Sequence, residues 1–136
     1  MRLSLLDSDT LSLSLRDNDS INANVARYLA DFGPVRFSVV TYFEILRGLR
    51  FRDARTRMAR FEAVSSQSHV LPVSIEIADR AAWIHADLRR RGVGLPDADT
   101  LIAATALVHE LVLITNNESD FHRIPGLVIE NWSIPA

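Results

Sequence analysis

Short apolar runs alternate along this chain with longer amphipathic stretches, and that alternation restricts the fold more than any other feature. Arg2–Leu6, Val35–Val40, Val70–Val73, Leu111–Thr115 and Leu127–Glu130 read as strands. Ser20–Asp31, Thr41–Leu49, Asp53–Ser65, Ser74–Arg91 and Pro96–His109 read as helices. Ile21, Val25, Tyr28 and Leu29 fall at helical spacing, and Gly33-Pro34 stops that segment. Thr41 and Asp53 are the expected N-caps of their helices. Pro72 lies inside the third apolar run and marks an edge strand. The unbroken Leu111-Val112-Leu113-Ile114 run fits a strand covered on both faces. Strands separated by helices imply βαβ units, hence an α/β fold with a mostly parallel sheet.

The chain has 136 residues, enough for one domain with a real core, so residues 1–136 are expected to form a single domain. No apolar run is long enough to span a membrane. Asp7 interrupts the first apolar segment too early for a secretory signal, so a cytoplasmic location is the expectation. Cysteine is absent, which excludes thiolate metal sites. The net charge of −2 disfavours a simple basic nucleic-acid binder.

Against this background the acids stand out. Leu6-Asp7-Ser8-Asp9, Tyr42-Phe43-Glu44-Ile45, Pro96-Asp97-Ala98-Asp99 and Asn116-Asn117-Glu118-Ser119-Asp120 each lie at the edge of an apolar element. A carboxylate in such a place costs desolvation energy unless something compensates it. In an open parallel sheet, sites form beyond the carboxyl ends of the strands. Asp7 follows the first strand, Glu44 sits one turn into the helix after the second, Asp99 lies in the first turn of the Pro96 helix, and Asn116 to Asp120 follow the Leu111 strand. All of them therefore belong to one end of the sheet. Singly, Asp97 and Asp99 can be read as complementing a helix dipole, and Asp120 as a helix cap. Together they repel, and such a group is reconciled by a hard cation.

These segments resemble the PIN-domain ribonucleases, and most closely the VapC toxins of bacterial toxin–antitoxin pairs. Leu5-Leu6-Asp7-Ser8-Asp9-Thr10-Leu11-Ser12 looks like the opening strand and first aspartate of that family, and Ser38 to Gly48 like the segment with its glutamate. Pro96-Asp97-Ala98-Asp99-Thr100-Leu101-Ile102-Ala103-Ala104 is the most specific match. Leu113 to Phe121 completes the pattern, with Ile124-Pro125-Gly126-Leu127 and Glu130-Asn131-Trp132 following. The resemblance implies a PIN-like three-layer α/β/α sandwich with a mostly parallel central sheet. By position it implies Asp7, Glu44, Asp99 and Asp120 as catalytic acids and metal ligands, with Thr115 and Asn116 as polar support. Asp9 stands where relatives often carry asparagine, so Asp9 and Asp97 count as supporting acids. Carboxylate oxygens without sulfur or paired histidines suit Mg²⁺, or Mn²⁺. Four ionised carboxylates carry about −4, which two divalent ions would balance.

The implied activity is endonucleolytic hydrolysis of RNA, a tRNA or ribosomal RNA loop, by a homodimer held in check by an antitoxin protein. Every basic residue is arginine, which reflects either base composition or phosphate recognition by its planar fork. Arg47, Arg50, Arg52, Arg55, Arg57 and Arg60 form one basic group, and Arg89, Arg90 and Arg91 another; each is either an RNA guide or a solvated face. Tyr42, Phe43, Ile45, Leu46 and Leu49 are more apolar than one helix face needs; core packing explains most of them, and a groove for an antitoxin helix or a dimer contact the rest. A catalytically silent PIN-like RNA-binding or scaffold module is the alternative. A response-regulator domain also gathers acids at strand ends, but no lysine exists here for its phosphate contact.

Overall fold

A computed structural model describes residues 1–135; Ala136, the last residue of the expected domain, lies outside the described residues. Five strands form: β1 (Ser4–Leu6), β2 (Arg36–Ser38), β3 (His69–Leu71), β4 (Val112–Ile114) and β5 (Ile129–Glu130). The helices are α1 (Ser8–Leu15), α2 (Asp19–Phe32), α3 (Val39–Phe51), α4 (Arg55–Ser66), α5 (Ile75–Arg90), α6 (Asp97–Val108) and the single turn α7 (Glu118–Phe121).

Every ladder is parallel. β4 lies between β1 and β5, with Leu5 opposite Leu113, while β2 and β3 form a second ladder beside β1. As expected, β3 is an edge, and Pro72 falls just beyond it, where no ladder N–H is required. Successive side chains point to opposite faces of a strand. Leu6, Val112 and Ile114 accordingly join Leu11, Tyr28, Phe37 and Phe61 in one core, under α1 to α4. Leu5 and Leu113 join Ile77, Ile84, Ile102 and Phe121 in the other, under α5 and α6. Two cores on opposite faces make the three-layer α/β/α arrangement. Ala103, Ala104 and Ala106 are fully buried, so α6 sits close against its neighbours.

Three local expectations need correction. Val39 and Val40 start α3 rather than end β2, and its cap is Ser38, whose Oγ accepts from the Val40 amide at 3.0 Å; Thr41 is instead wholly buried inside the first turns. Asp53 does not cap α4. It turns the chain at φ 48° and pairs with Arg55, and the capping position belongs to Ala54. Two helices, α1 and α7, arise in stretches where no helix is expected from the pattern.

Candidate active site

β1 and β4 end side by side, so the residues that follow them emerge together. The Asp7 amide donates to the Ile114 carbonyl at 3.0 Å, which extends the ladder by one rung and fixes the Asp7 side chain at the sheet's end. Asp7 is 4% exposed. It is also the N-cap of α1, accepting the Thr10 amide at 2.8 Å. Burial pushes its carboxyl up, and hydrogen bonds from Thr115 and Thr10 oppose the shift. Thr115 is fully buried, and its Oγ also accepts the Asn117 amide at 2.9 Å, which shapes the loop after β4.

Glu44 projects from the second turn of α3 toward α1. The Ser8 hydroxyl donates to Glu44 Oε1 at 2.6 Å and lies 3.1 Å from Thr41 Oγ1. Arg47 Nη2 stands 3.8 Å from the other Glu44 oxygen. Asp99, in the first turn of α6, is half-buried and pushed up to about 6, first by burial and then by the charges of Glu44, Asp7, Asp9 and Asp120. Asp120 is held by Asn117 Nδ2 at 2.9 Å and has Arg123 at 3.9 Å.

A cavity of about 220 Å³ opens at this end of the sheet, and Asp7, Ser8, Asp9, Glu44, Asp99 and Asn117 line it. The structure thus brings Asp7, Glu44, Asp99 and the exposed Asp9 to one place. Asp120 lies at the rim, outside the lining but near enough for Asp99 to feel its charge. Asn116 stays off the cavity wall; its Oδ1 is buried without a hydrogen-bond partner. Asp97 faces away, lining a shallow depression between α5 and α6 beside Ala81 and His85. His122 is exposed and engages the Glu118 carbonyl of its own turn. Ser8 and Asn117 were not expected at the site. Ser8 stands between two aspartates, and Asn117 starts the turn that carries Asp120; those neighbours were the available signals.

The donor set suits a hard divalent cation: it is all oxygen, mostly carboxylate, and crowded enough to push Asp99 up to about 6. Among the described residues, no three acids or histidines are drawn close enough to cage an ion by themselves. Ser8 and Arg47 hold Glu44, and Asn117 and Arg123 hold Asp120. Like charges left to themselves separate.

Of the apolar excess on α3, Ile45, Leu46 and Leu49 are core residues, and Tyr42 packs on Phe61 with ring centroids 5.3 Å apart. Phe43 alone remains outside, 58% exposed, with the Arg47 guanidinium 5.1 Å from its ring centroid.

Known proteins resemble this chain in sequence and in fold. The tRNA(fMet)-specific endonuclease VapC of Salmonella typhimurium is 30% identical over 134 residues, covering 94% of this chain and 96% of its own. The structure of DNA-bound VapBC from Salmonella typhimurium superposes with a TM-score of 0.86 at 28% identity, covering 97% of this chain and 99% of that one. A toxin–antitoxin complex from Klebsiella pneumoniae superposes with a TM-score of 0.74 at 25% identity, over 98% and 99% of the two chains. The PIN domain is matched over residues 5–127, from the first buried strand through the helix that carries Asp99 to the turn after Asp120, and the chain belongs to the PIN-domain family.

Proposed function

We propose that this chain is a metal-dependent endoribonuclease, hydrolysing RNA phosphodiester bonds as the toxin of a toxin–antitoxin pair. The observation that carries the reading is the shared cavity: three acids from three distant segments, Asp7, Glu44 and Asp99, line it together, and a fourth, Asp120, stands at its rim. Asp7, Glu44, Asp99 and Asp120 would hold Mg²⁺, or Mn²⁺, with Asp9 as a further acid at the edge. The bound cation supplies an activated water and neutralises charge on the phosphate.

The chain's own residues set the stage for that chemistry. Thr10 and Thr115 fix Asp7, Ser8 fixes Glu44, and Asn117 fixes Asp120, so three of the four acids are held by a neighbour that cannot itself ionise. Such outer partners orient ligands and tune their affinity. Asp99 is the acid whose ionised form its neighbours' charges disfavour, and a bound cation would offset that repulsion.

A tRNA is the favoured substrate, since a relative covering nearly the whole chain is named for initiator tRNA; a ribosomal RNA loop is the other candidate. The antitoxin partner is supported by the likeness to toxin–antitoxin complexes. A homodimer would bring two acidic sites to one RNA surface. The test is incubation of purified protein with initiator tRNA and total RNA, with Mg²⁺, with Mn²⁺ and with chelator. Discrete cleavage that needs the metal and disappears in Asp7→Asn is expected. RNA left intact under every condition would favour the silent RNA-binding or scaffold module.

A further inference from the structure

A second hollow, of about 240 Å³, adjoins the acidic cavity and shares Ser8, Asp9 and Glu44 with it. Its far walls carry Arg16 at the end of α1, Arg47 and Arg52 on and just after α3, and Arg57 on α4. These arginines are distant in sequence, and α1, α3 and α4 pack to bring them around one groove. Only three of the six arginines in the sequence group line it. Arg60 is committed to Asp17 and the Leu15 carbonyl, both at 2.8 Å, and Arg55 to Asp53 at 3.2 Å. Arg16, by contrast, stands alone in the sequence and joins the groove only through folding.

Among the described residues, Arg16, Arg52 and Arg57 have no carboxylate within 4.0 Å. The Arg52 guanidinium lies against Gly48, where a Cβ would stand 3.5 Å from Nη2 in ordinary van der Waals contact. The groove's apolar residues, Leu15, Ile45 and Leu49, are each at most 9% exposed. An apolar helix would find little to grip there. What the groove presents is guanidinium and hydroxyl groups, leading to the acids.

We infer that this groove is the track for the RNA backbone on one side of the bond that is cut. Arg16, Arg52 and Arg57 take successive phosphates, and Arg47 stands where the track meets Glu44. Arginine forks match phosphate oxygens in paired hydrogen bonds. Positive charge beside a carboxylate site also offsets the repulsion an incoming strand would meet from a protein of net charge −2. The inference rests on the ribonuclease reading and adds which surface carries the substrate.

The test measures binding of fluorescein-labelled initiator tRNA against salt concentration, in an Asp7→Asn background that leaves the RNA whole. Arg52→Gln with Arg57→Gln should weaken binding roughly tenfold and lower the slope of log affinity against log salt by about 1.4, at about 0.7 per phosphate contact. Arg16→Gln alone should lower it by about 0.7. Arg89→Gln with Arg90→Gln removes the same charge at the end of α5 and should leave the slope unchanged. An unchanged slope in Arg52→Gln/Arg57→Gln while wild type cleaves RNA would overturn the groove alone. An equal loss in the Arg89/Arg90 control would reduce the effect to general charge and overturn it too. If poly-glutamate binding, and not tRNA binding, senses the loss of Arg52 and Arg57, the groove is a protein site. A parent that neither binds tRNA nor, with Asp7 restored, cleaves RNA would overturn both readings.

Discussion

Ser8 holds Glu44 across the gap between α1 and α3, its hydroxyl 2.6 Å from Glu44 Oε1. Ser8→Ala removes that tether without touching the acids. Activity with Mg²⁺ should fall about tenfold or more, as for other outer partners of metal ligands. Stability should fall by about 1 kcal/mol. Ser8→Thr keeps the hydroxyl and should recover most of the rate. Initial-rate measurements on the three proteins decide it; equal rates in wild type and Ser8→Ala would remove Ser8 from any positioning role.

Asp7 serves two structures at once, as the cap of α1 and as a wall of the cavity. Asparagine caps as well as aspartate does, and alanine does not. Asp7→Asn should therefore abolish RNA cleavage yet melt in chelator at the wild-type temperature or above it. Asp7→Ala should be equally inactive and less stable than Asp7→Asn by about 1 kcal/mol. Urea titrations of both variants measure the difference.

Asp99 has a folded-state pKa of about 6 against an ordinary 3.8. A carboxyl raised by folding stabilises the protein in its protonated form. That contribution is complete below 3.8 and is lost as pH rises through about 6. In chelator, the wild-type Tm should fall from roughly pH 4 to pH 7, and the fall should shrink in Asp99→Asn. Metal reverses the preference, since ligation needs the ionised form. Saturating Mn²⁺ should thus raise the Tm most at the alkaline side of this window, and by less in Asp99→Asn.

Tyr28 is fully buried in the first core, and its hydroxyl accepts from the Ser4 amide at 3.2 Å and from Arg36 at 3.0 Å. Tyr28→Phe leaves the Ser4 N–H buried without that partner, at a cost of about 1–3 kcal/mol. The site is at the other end of β1, so kcat on RNA should not change at a temperature where the variant is folded. A variant that loses rate without losing stability would show the two ends to be coupled.

The ladder of βαβ units and the gathering of acids at one end were legible because hydrophobic periodicity and strand order are carried by the sequence itself. Helix α1 was not. Leu11, Leu13 and Leu15 alternate with serines, a period of two that gives no helical face. The helix forms because Asp7 caps it and Leu11 and Leu15, one turn apart, both enter the core. Val39 and Val40 misled in the opposite sense, since β-branched residues read as strand until Ser38 caps them into α3. Arg16 was invisible as a groove residue because nothing local distinguishes it from a solvated arginine. The tethering of Glu44 depends on Ser8, a partner that only tertiary packing brings near.

The pairing of Leu5 with Leu113 has a consequence for the ribosome that makes this chain. Asp7 leaves the ribosome well before the strand beside which it must lie, which is more than one hundred residues behind. At about 5–20 residues per second, several seconds of synthesis pass between them. Throughout that interval the nascent chain carries its first acid and cannot cut, because the wall opposite has not been translated. The cavity therefore lacks one of its walls until β4 has been translated.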